Sequence, residues 1–346
     1  MISIFGAGNG GLALSTYLIE KKYDVTLWNR STERIKSIIN NDNSINVFDY
    51  LGNDRSIKIR KITQDLELAV KSSKILIIIT PGFAHRELAD KMSKYLTEDQ
   101  IIILMPGRTL GSYVFKDKVK MNTGLDIECF ESQTILHTCR AVDNNLTIYA
   151  KKPLVTFSTN NLINKKNIEL VNDIFPEFKY EENYYSVTLN NIGAILHPIP
   201  TILNTGRVDG KVKFKHYHDG ITPKIAKYLS VIDNERKLVC ESVNCKYTSV
   251  LSWLKTTYKV TSDDLHEAIK EVKAYENIYA PNTLNHRYIY DDLITGLVPI
   301  YNIGKSNCVE MPNTEAFIRF ASNFMEEDFF ERGRKTNQIS NCQKIS

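Results

Sequence analysis

Short, largely apolar runs alternate with amphipathic stretches through the first half of the chain. Runs of this kind are typical of strands that are buried on both faces of a parallel sheet. They cover Ile2–Phe5, Asp24–Trp28, Ile75–Ile79 and Gln100–Leu104. Between them, Leu12–Leu18 and Ala84–Tyr95 have helical periodicity. Strands separated by helices predict βαβ units, and therefore an α/β fold with a doubly wound parallel sheet.

The second half has a different pattern, because the strand signals fade after Tyr185. Helix-like stretches follow at 186–206, 222–232, 233–255, 261–275 and 312–330. The change predicts a parallel-sheet domain over residues 1–182 and an all-helical domain over residues 183–332. A length of 346 residues agrees with two domains, since single hydrophobic cores stop growing near roughly 250–300 residues. The polar residues 333–346 are predicted to form a disordered tail.

Composition and charge exclude several classes of protein. Hydrophobic residues make up 42% and charged residues 24%, as in ordinary globular proteins. The formal net charge of +4 is too small and too evenly spread for a nucleic-acid-binding surface. The longest aliphatic runs, Ile75–Ile79 and Ile101–Met105, are too short to cross a membrane. The first strand begins at Ile2, which leaves no room for a signal peptide, so we expect a cytoplasmic protein.

The six cysteines show neither the spacing of a zinc site nor that of a disulfide framework. We therefore expect reduced thiols and no metal centre. Symmetric dimers are the commonest oligomers, and a homodimer is the corresponding expectation here.

A glycine-rich loop joins the first strand to the first helix. It reads Gly6-Ala7-Gly8-Asn9-Gly10-Gly11 and contains the pattern GxGxxG. In such a loop Gly6 permits a tight turn, Gly8 lets the backbone approach a pyrophosphate, and Gly11 lets the helix pack on the strand. The phosphates then lie on the amide groups at the start of the helix. The context predicts a Rossmann-type dinucleotide site that includes Asn9 and Gly10, with an ordinary glycine turn as the alternative.

The end of the second strand decides which dinucleotide is expected. NAD-binding proteins usually carry an acidic residue there for the ribose 2′-hydroxyl, but this chain reads Asn29-Arg30-Ser31. Arg30 can attract a 2′-phosphate by a charge-assisted bidentate contact. Asn29 or Ser31 can add a hydrogen bond, or can instead cap the next helix. We therefore favour NADP(H) over NAD(H), with a solvated Arg30 as the alternative.

Two further loops follow the third and fourth strands. Thr80-Pro81 follows the third strand and Pro106-Gly107-Arg108 follows the fourth. Ligands of open parallel sheets bind beyond the carboxyl ends of the strands, so these residues are expected to face the cofactor. Each is also compatible with simple turn chemistry.

A histidine occurs in an apolar segment of the second half, Asn-Asn-Ile-Gly-Ala-Ile-Leu-His-Pro-Ile-Pro, over residues 190–200. If this stretch is helical, Asn190 and His197 lie on one face because they are seven residues apart. Pro198 and Pro200 predict a kink just after His197. The alternative is a buried core histidine with satisfied hydrogen bonds.

Two adjacent aspartates, Asp291 and Asp292, follow Arg287 in another largely apolar segment. One interpretation is a local salt bridge with helix capping. The other is that one carboxylate orients and charges a catalytic histidine, as carboxylates commonly do.

Taken together, these features resemble the octopine/nopaline-type opine dehydrogenase family. The resemblance rests on ordered blocks over residues 1 to about 325, namely GAGNGG, MPGRTLG at 105–111, ESQTILHTCR at 131–140, NNIGAILHPIPTILNTG at 190–206 and HRYIYDDLITGLVP at 286–299. It implies a Rossmann domain followed by an all-helical substrate and catalytic domain. It also implies condensation of an amino acid with a 2-oxo acid, often pyruvate, and reduction of the imine by NAD(P)H.

The resemblance also assigns roles to residues. His197 resembles the family's catalytic histidine, Asp292 its aspartate partner, and Arg287 the arginine that binds a substrate carboxylate. The pair is Asp-Asp here where the family often has Glu-Asp, so Asp291 remains a rival for the partner role. Asn190 and Arg140 are further candidates for binding substrate carboxylates. Arg140 can instead hold Glu131.

Two other classes of protein remain open. Glycerol-phosphate, hydroxyisobutyrate and ketopantoate reductases also join a Rossmann domain to a helical domain. A 2-hydroxyacid or ketopantoate-type dehydrogenase is the corresponding alternative. They typically use a lysine after the linker, but no lysine lies between Lys179 and Lys211. A non-catalytic NADP-binding regulator is the second alternative, and the pair of His197 and Asp292 argues against it.

Overall fold

The computed structural model describes residues 1–161 and 163–335. The chain forms two compact units. The first contains Met1–Gly107 and Gly111–Val187, and the second contains Arg108–Leu110 and the chain from Thr188 onward. The division after residue 187 falls close to the predicted one after residue 182, but the short segment 108–110 was not expected to belong to the helical unit.

Within the described residues, the first unit contains an eight-stranded and a four-stranded sheet. The strands are β1 Ile2–Phe5, β2 Val25–Trp28, β3 Ser44–Asp49, β4 Asp54–Lys58, β5 Lys61–Thr63, β6 Ile75–Ile78, β7 Ile101–Leu104, β8 Glu128–Ser132, β9 His137–Val142, β10 Asn145–Lys151, β11 Val155–Thr159 and β12 Phe178–Tyr180. The larger sheet has the order β12-β11-β8-β7-β6-β1-β2-β5. Its strands pair in parallel except for β11, which is antiparallel to β8.

Helices cover both faces of the larger sheet. Those of the first unit are α1 Asn9–Glu20, α2 Lys36–Asn40, α3 Leu66–Lys71, α4 His85–Ser93, α5 Gly111–Thr123 and α6 Lys165–Ile174, and α7 Tyr185–Thr188 leads into the second unit. Ile75 and Ile77 of β6 join a core cluster that includes Leu14 of α1. Leu76 and Ile78 join a second cluster with residues of α4. Successive side chains of a strand point to opposite faces, so these clusters confirm the predicted doubly wound sheet.

The smaller sheet, with the order β4-β3-β10-β9, was not predicted. Its strand β4 reads Asp-Arg-Ser-Ile-Lys, and its residues alternate between exposed and half-buried positions. A charged, partly exposed strand lacks the apolar run on which the prediction of the other strands depended.

The second unit is helical, as predicted, but its helices differ in their bounds. They are α8 Gly193–Leu196, α9 Pro198–Leu203, α10 Thr205–Asp209, α11 Pro223–Ser242, α12 Val250–Tyr258, α13 Leu265–Glu271, α14 Arg287–Asp292, α15 Val298–Ser306, α16 Pro312–Met325 and α17 Phe329–Arg332. The stretches 222–232 and 233–255 were predicted as separate helices, whereas α11 runs through residue 233 and ends at Ser242. The stretch 186–206 forms several short helices rather than a continuous one, and Pro198, which has no N–H to donate, accounts for the break between α8 and α9.

The predicted tail begins with ordered residues. Arg334 is buried, its amide donates a hydrogen bond to the carbonyl of Ile294, and its guanidinium donates to the carbonyl of Thr109. Residues 336–346 lie outside the described residues. In the part of the chain that the structure describes, no helix is long and apolar enough to span a membrane.

Candidate active site

His197 lies between α8 and α9, where the helix is interrupted just before Pro198. Its Nδ1 is 2.9 Å from Oδ2 of Asp292, and its Nε2 is 3.1 Å from the hydroxyl of Tyr217. The carboxylate of Asp292 accepts a hydrogen bond, so the proton of a neutral imidazole lies on Nδ1. Nε2 then carries the lone pair and is the nitrogen available for proton exchange. The structure thus brings together the two residues to which the sequence assigned catalysis.

Asp292 is the last residue of α14 and is fully buried. Its Oδ1 accepts a hydrogen bond from Nη1 of Arg108 at 2.8 Å, while Nη2 of Arg108 lies 3.1 Å from Oδ2 of Asp291. Burial alone raises the pKa of a carboxyl group, but the nearby positive charge of Arg108 and the contact with His197 lower the pKa of Asp292 below its usual value. Asp292 is therefore ionised at neutral pH. The partner of His197 is Asp292, and Asp291 pairs with Arg108 instead.

Gly193 makes room for this group of charges. A Cβ atom at this position would lie 2.6 Å from Nη1 of Arg108, 3.0 Å from Oδ1 of Asp292 and 3.2 Å from Nδ1 of His197. No side chain fits there unless the charged groups move. The segment of α8 on which Gly193 lies therefore packs directly against all three side chains.

Aromatic side chains surround His197. The ring of Tyr288 stacks on the imidazole with centroids 4.3 Å apart and an angle of 8° between the planes. His216 contacts the carbonyl of Leu196 through Nε2 at 3.2 Å, and burial lowers its pKa to about 3. His216 is consequently neutral at physiological pH and adds no charge to the site. Among residues 1–161 and 163–335, no cluster of His, Cys, Asp and Glu has the arrangement of a metal site.

The glycine-rich loop of the first unit has the geometry expected of a dinucleotide cradle. Gly6 has a φ of +117°, a conformation that favours glycine. A Cβ atom on Gly11 would lie 1.8 Å from the carbonyl oxygen of Gly6, so this helix packs on the loop only with glycine there. A Cβ atom on Gly8 would meet nothing within 4 Å. The loop is therefore tight at Gly6 and Gly11, and open at Gly8.

The surroundings of the loop also suit a bound anion. Gly8 precedes α1 without a side-chain cap, and the first turn of α1 contains no acidic residue. Amide groups at such a helix start favour negative charge. The hydroxyl of Thr80, which follows β6, is buried without a hydrogen-bond partner in the described structure. An open cradle and an unsatisfied hydroxyl at the carboxyl end of β6 fit a dinucleotide.

The residues after β2 are arranged differently from the prediction. Oδ1 of Asn29 accepts a hydrogen bond from the amide of Ala7 at 3.0 Å, and its Nδ2 donates to the carbonyl of Ser31. The helix that follows begins after Ile35, so neither Asn29 nor Ser31 caps it. Arg34 contacts the glycine loop through the carbonyl of Ala7, and also reaches Oδ1 of Asn9 at 3.2 Å. Asn29 and Arg34 therefore stabilise the glycine-rich loop through hydrogen bonds with the backbone of Ala7.

Comparisons with known proteins agree with both halves of this description. Residues 1–111 match the family model described as NAD-dependent glycerol-3-phosphate dehydrogenase N-terminus, and residues 180–325 match NAD/NADP octopine/nopaline dehydrogenase, alpha-helical domain. The chain is 30% identical over 341 residues to the opine dehydrogenase of Arthrobacter sp. (strain 1C), covering 97% of this chain and 94% of that protein. The chain belongs to the opine dehydrogenase family. The family consists of NAD(P)-dependent oxidoreductases that act on CH–NH bonds.

Solved structures show the same fold in other opine dehydrogenases. Octopine dehydrogenase in complex with NADH and agmatine has a TM-score of 0.77 at 19% identity, covering 99% of this chain and 96% of that chain. Yersinopine dehydrogenase with bound NADP+ has a TM-score of 0.72 at 13% identity, covering 99% and 95%. The expected combination of a Rossmann domain and a helical domain is thereby confirmed.

The predicted substrate-binding residues of this opine dehydrogenase have different surroundings. Oδ1 of Asn190 accepts hydrogen bonds from Arg236 and from the amide of Thr248, and its Nδ2 donates to the carbonyl of Lys246. Asn190 lies outside α8, so the predicted shared helical face with His197 does not form. Arg287 is exposed at the start of α14 and adds to the positive charge that lowers the pKa of Asp292.

Arg140 does not hold Glu131 as the alternative interpretation suggested. It is exposed on β9 in the smaller sheet. Oε2 of Glu131 instead accepts hydrogen bonds from the amide of Ser112 and from the hydroxyl of Tyr184.

Sequence reasoning missed Gly193 and Tyr217, and it expected Arg108 only in a loop that faces the cofactor, whereas Arg108 pairs with Asp291 and Asp292. Arg108 is in the MPGRTLG block, and a basic residue between two glycines of a family block was the available signal. Gly193 is in the histidine block, where a glycine amid large apolar residues indicates a close approach. Nothing in the sequence around Tyr217 distinguishes it from other tyrosines.

Proposed function

We propose that this protein catalyses the NADPH-dependent reductive condensation of the amino group of an amino acid with a 2-oxo acid, most simply pyruvate. The observation that carries the proposal is the buried group of Arg108, Asp292 and His197 in a chain that also has a dinucleotide cradle. Solved octopine dehydrogenase structures contain NADH with L-arginine and NADH with pyruvate, which supports the same classes of substrate.

The proposed role of His197 follows from the chemistry of condensation. Attack of the amine on the oxo acid gives a carbinolamine, whose hydroxyl must gain a proton to leave as water. A histidine suits proton exchange near neutral pH, because its side chain ordinarily has a pKa of about 6.5. Asp292, which Arg108 keeps ionised, stabilises the imidazolium and fixes the tautomer that exposes Nε2. A bound reduced nicotinamide would supply the hydride for the imine.

The condensed substrate carries two carboxylates that need partners. We propose Arg287 for one of them, since its guanidinium is exposed and its charge acts on Asp292. Asn190 is a weaker candidate, because protein groups already occupy its amide. Arg140 stays a prediction from the sequence alone.

The function is tested by following NADPH and NADH oxidation at 340 nm with pyruvate, with and without each common amino acid. Oxidation that requires both pyruvate and one amino acid supports reductive condensation and names the amine. Oxidation with an oxo acid alone supports a 2-hydroxyacid dehydrogenase instead. If the protein binds NADPH but oxidises it with none of these substrate pairs, a non-catalytic NADP-binding regulator is supported instead.

We propose that the cofactor is NADPH rather than NADH, because the residues directly after β2 are Asn29, Arg30 and Ser31, none of which is acidic. Arg30 is exposed, and its Nη1 is 3.7 Å from Glu87, a contact too long to occupy its donors. A charge-assisted contact with the 2′-phosphate contributes about 1.5–3 kcal/mol. We therefore expect Arg30→Ala to weaken NADPH binding about 10–100-fold in a fluorescence titration, with little change for NADH.

Arg60 provides a matched control for this substitution. The side chains of Arg30 and Arg60 are 73% and 72% exposed, and both face a surface carboxylate. Arg60→Ala should leave both affinities unchanged. Equal NADPH affinity in Arg30→Ala and wild type would contradict the role of Arg30.

We also propose a cytoplasmic homodimer. The proposal of a cytoplasmic location is supported by the spacing of the six cysteines, which is not that of a disulfide framework. The dimer rests on the general preference of soluble oligomers for two-fold symmetry.

A further inference from the structure

Tyr217 occupies the side of His197 from which a proton must be transferred. Nδ1 of His197 is committed to Asp292, so Nε2 is the nitrogen left to exchange a proton. The hydroxyl of Tyr217 lies 3.1 Å from this atom. A substrate hydroxyl can therefore reach Nε2 directly only if the hydroxyl of Tyr217 moves away.

The surroundings of Tyr217 hold its ring in place. The residue is only 4% exposed. Its ring stacks on that of Tyr275, with centroids 3.9 Å apart and an angle of 16°, and it meets His216 edge-on at 4.7 Å. Its hydroxyl also shares a hydrogen bond with the side chain of Tyr288. Because the ring is packed against two aromatic side chains and its hydroxyl is hydrogen-bonded, Tyr217 is poorly suited to change rotamer in each turnover.

We propose that Tyr217 is a further catalytic residue, whose hydroxyl transfers the proton between His197 and the substrate. The proposal rests on the proposed function. In the dehydration step, the O–H proton of Tyr217 passes to the hydroxyl of the carbinolamine as its C–O bond breaks, which releases water and leaves the iminium ion. At the same time the Nε2 proton of the His197 imidazolium passes to the phenolic oxygen. Tyr217 is thus regenerated, and His197 becomes neutral.

The environment of Tyr217 favours this concerted transfer over a phenolate intermediate. Burial, neighbouring tyrosines and the negative charge of Asp292 raise the pKa of Tyr217 well above its usual value. The phenol consequently stays protonated between steps. It transmits a proton without holding a charge, and His197 remains the group that changes its net protonation.

The first test compares Tyr217→Phe with wild type in the condensation assay. The substitution removes one oxygen and keeps the stacked ring. We expect kcat to fall about 10²-fold, as for loss of a positioned acid–base group. With NADPH deuterated at the transferred position, the isotope effect on kcat should be equal to or smaller than that of wild type, because dehydration rather than hydride transfer has slowed. A kcat within threefold of wild type, or a larger isotope effect, overturns the proposal.

Tyr228→Phe is the matched control. Tyr228 lies in the same unit and is half-buried, and its hydroxyl donates a hydrogen bond to the carbonyl of Asn313 at 3.4 Å. The Tyr228→Phe variant should retain the kcat and the isotope effect of wild type. An effect seen only in Tyr217→Phe is then specific to the position of Tyr217 and not to the loss of any tyrosine hydroxyl.

A second test needs no substitution and remains informative if Tyr217→Phe fails to fold. The kcat of the wild-type enzyme is measured in mixtures of H2O and D2O. Two protons that move together predict a curve that bows below the straight line between the two pure solvents. A linear dependence overturns the relay.

A third test needs no substrate and so separates this inference from the proposed function. Nitrogen NMR of the imidazoles should show that the Nε2 resonance of His197 shifts in Tyr217→Phe and not in Tyr228→Phe. An unchanged resonance overturns the hydrogen bond between Nε2 of His197 and Tyr217. If the resonance shifts but the protein condenses no pair of substrates, the hydrogen bond is supported and the proposed function is contradicted.

Discussion

Replacing His197 by alanine should lower kcat for condensation about 10²–10⁴-fold, the usual scale for removing a general acid–base group. The substitution removes Nε2 of His197, the nitrogen that remains for proton exchange because Nδ1 contacts Asp292. NADPH binding should be largely retained, because the glycine-rich loop proposed to hold the pyrophosphate keeps all of its residues. Steady-state kinetics with pyruvate and the amino acid that supports NADPH oxidation measures kcat. A fluorescence titration measures the affinity for NADPH.

His266 offers a matched control for the loss of an imidazole. Its side chain is 15% exposed, as is that of His197, but its Nδ1 contacts the backbone carbonyl of Ile221 and its Nε2 lies 3.7 Å from the exposed carboxylate of Glu267. His266→Ala should keep kcat close to the wild-type value. A His197→Ala variant within threefold of wild type would exclude the assigned role.

Arg108→Gln should destabilise the protein more than any surface substitution. Arg108 is 9% exposed and is bonded to two buried carboxylates. Glutamine keeps a hydrogen-bond donor but removes the charge, so Asp291 and Asp292 lose the buried cation that they share. Breaking a buried ion pair in this way costs about 3–5 kcal/mol. Urea unfolding at pH 7 measures the loss. Arg319→Gln, which removes an exposed contact with Glu315, should unfold close to wild type.

The same variant gives a pH dependence whose sign can be worked out. In the wild type the folded-state pKa of Asp292 is lowered, so its contribution to stability is present above the ordinary aspartate pKa of about 3.9 and is lost as the pH falls through the lower folded value. In Arg108→Gln, burial is no longer opposed by Arg108, and the pKa of Asp292 rises. The carboxyl is then protonated in mild acid, which relieves the buried charge.

The difference in unfolding free energy between wild type and Arg108→Gln should therefore shrink as the pH falls from 7 toward 4. A difference that stays constant over this range would show that the charge of Asp292 does not cause the instability. Arg108→Lys restores the positive charge without the bidentate geometry, and should recover part of the stability.

The sequence predicted those features that depend on local pattern. The strands β1, β2, β6 and β7 are short apolar runs between turn residues, and the glycine loop carries its own spacing, so each was predictable within a few residues. The pairing of His197 with Asp292 depends on residues 95 apart in the chain, and only a family resemblance connected them. Arg108 is 184 residues from Asp292, and no local periodicity reports such a contact.

Other differences come from backbone geometry that residue patterns do not determine. Asn190 was placed beside His197 on the assumption of a continuous helix, but the chain is irregular before α8 and bends again at Pro198. The strands of the smaller sheet are charged or half-exposed, and they pair with partners distant in sequence, such as β3 with β10. Their hydrogen bonds, rather than an apolar run, define them.

Gly193 has a consequence for how this protein can change by mutation. Every single-base change in a glycine codon that alters the encoded residue without ending the chain adds a Cβ atom. At Gly193 that atom would lie 2.6 Å from a nitrogen of Arg108. In a library of single variants we therefore expect position 193 to be as intolerant as His197, although glycine takes no part in the chemistry. Codon 193 is constrained because the space beside its Cα atom is already occupied by the side chains of Arg108, Asp292 and His197.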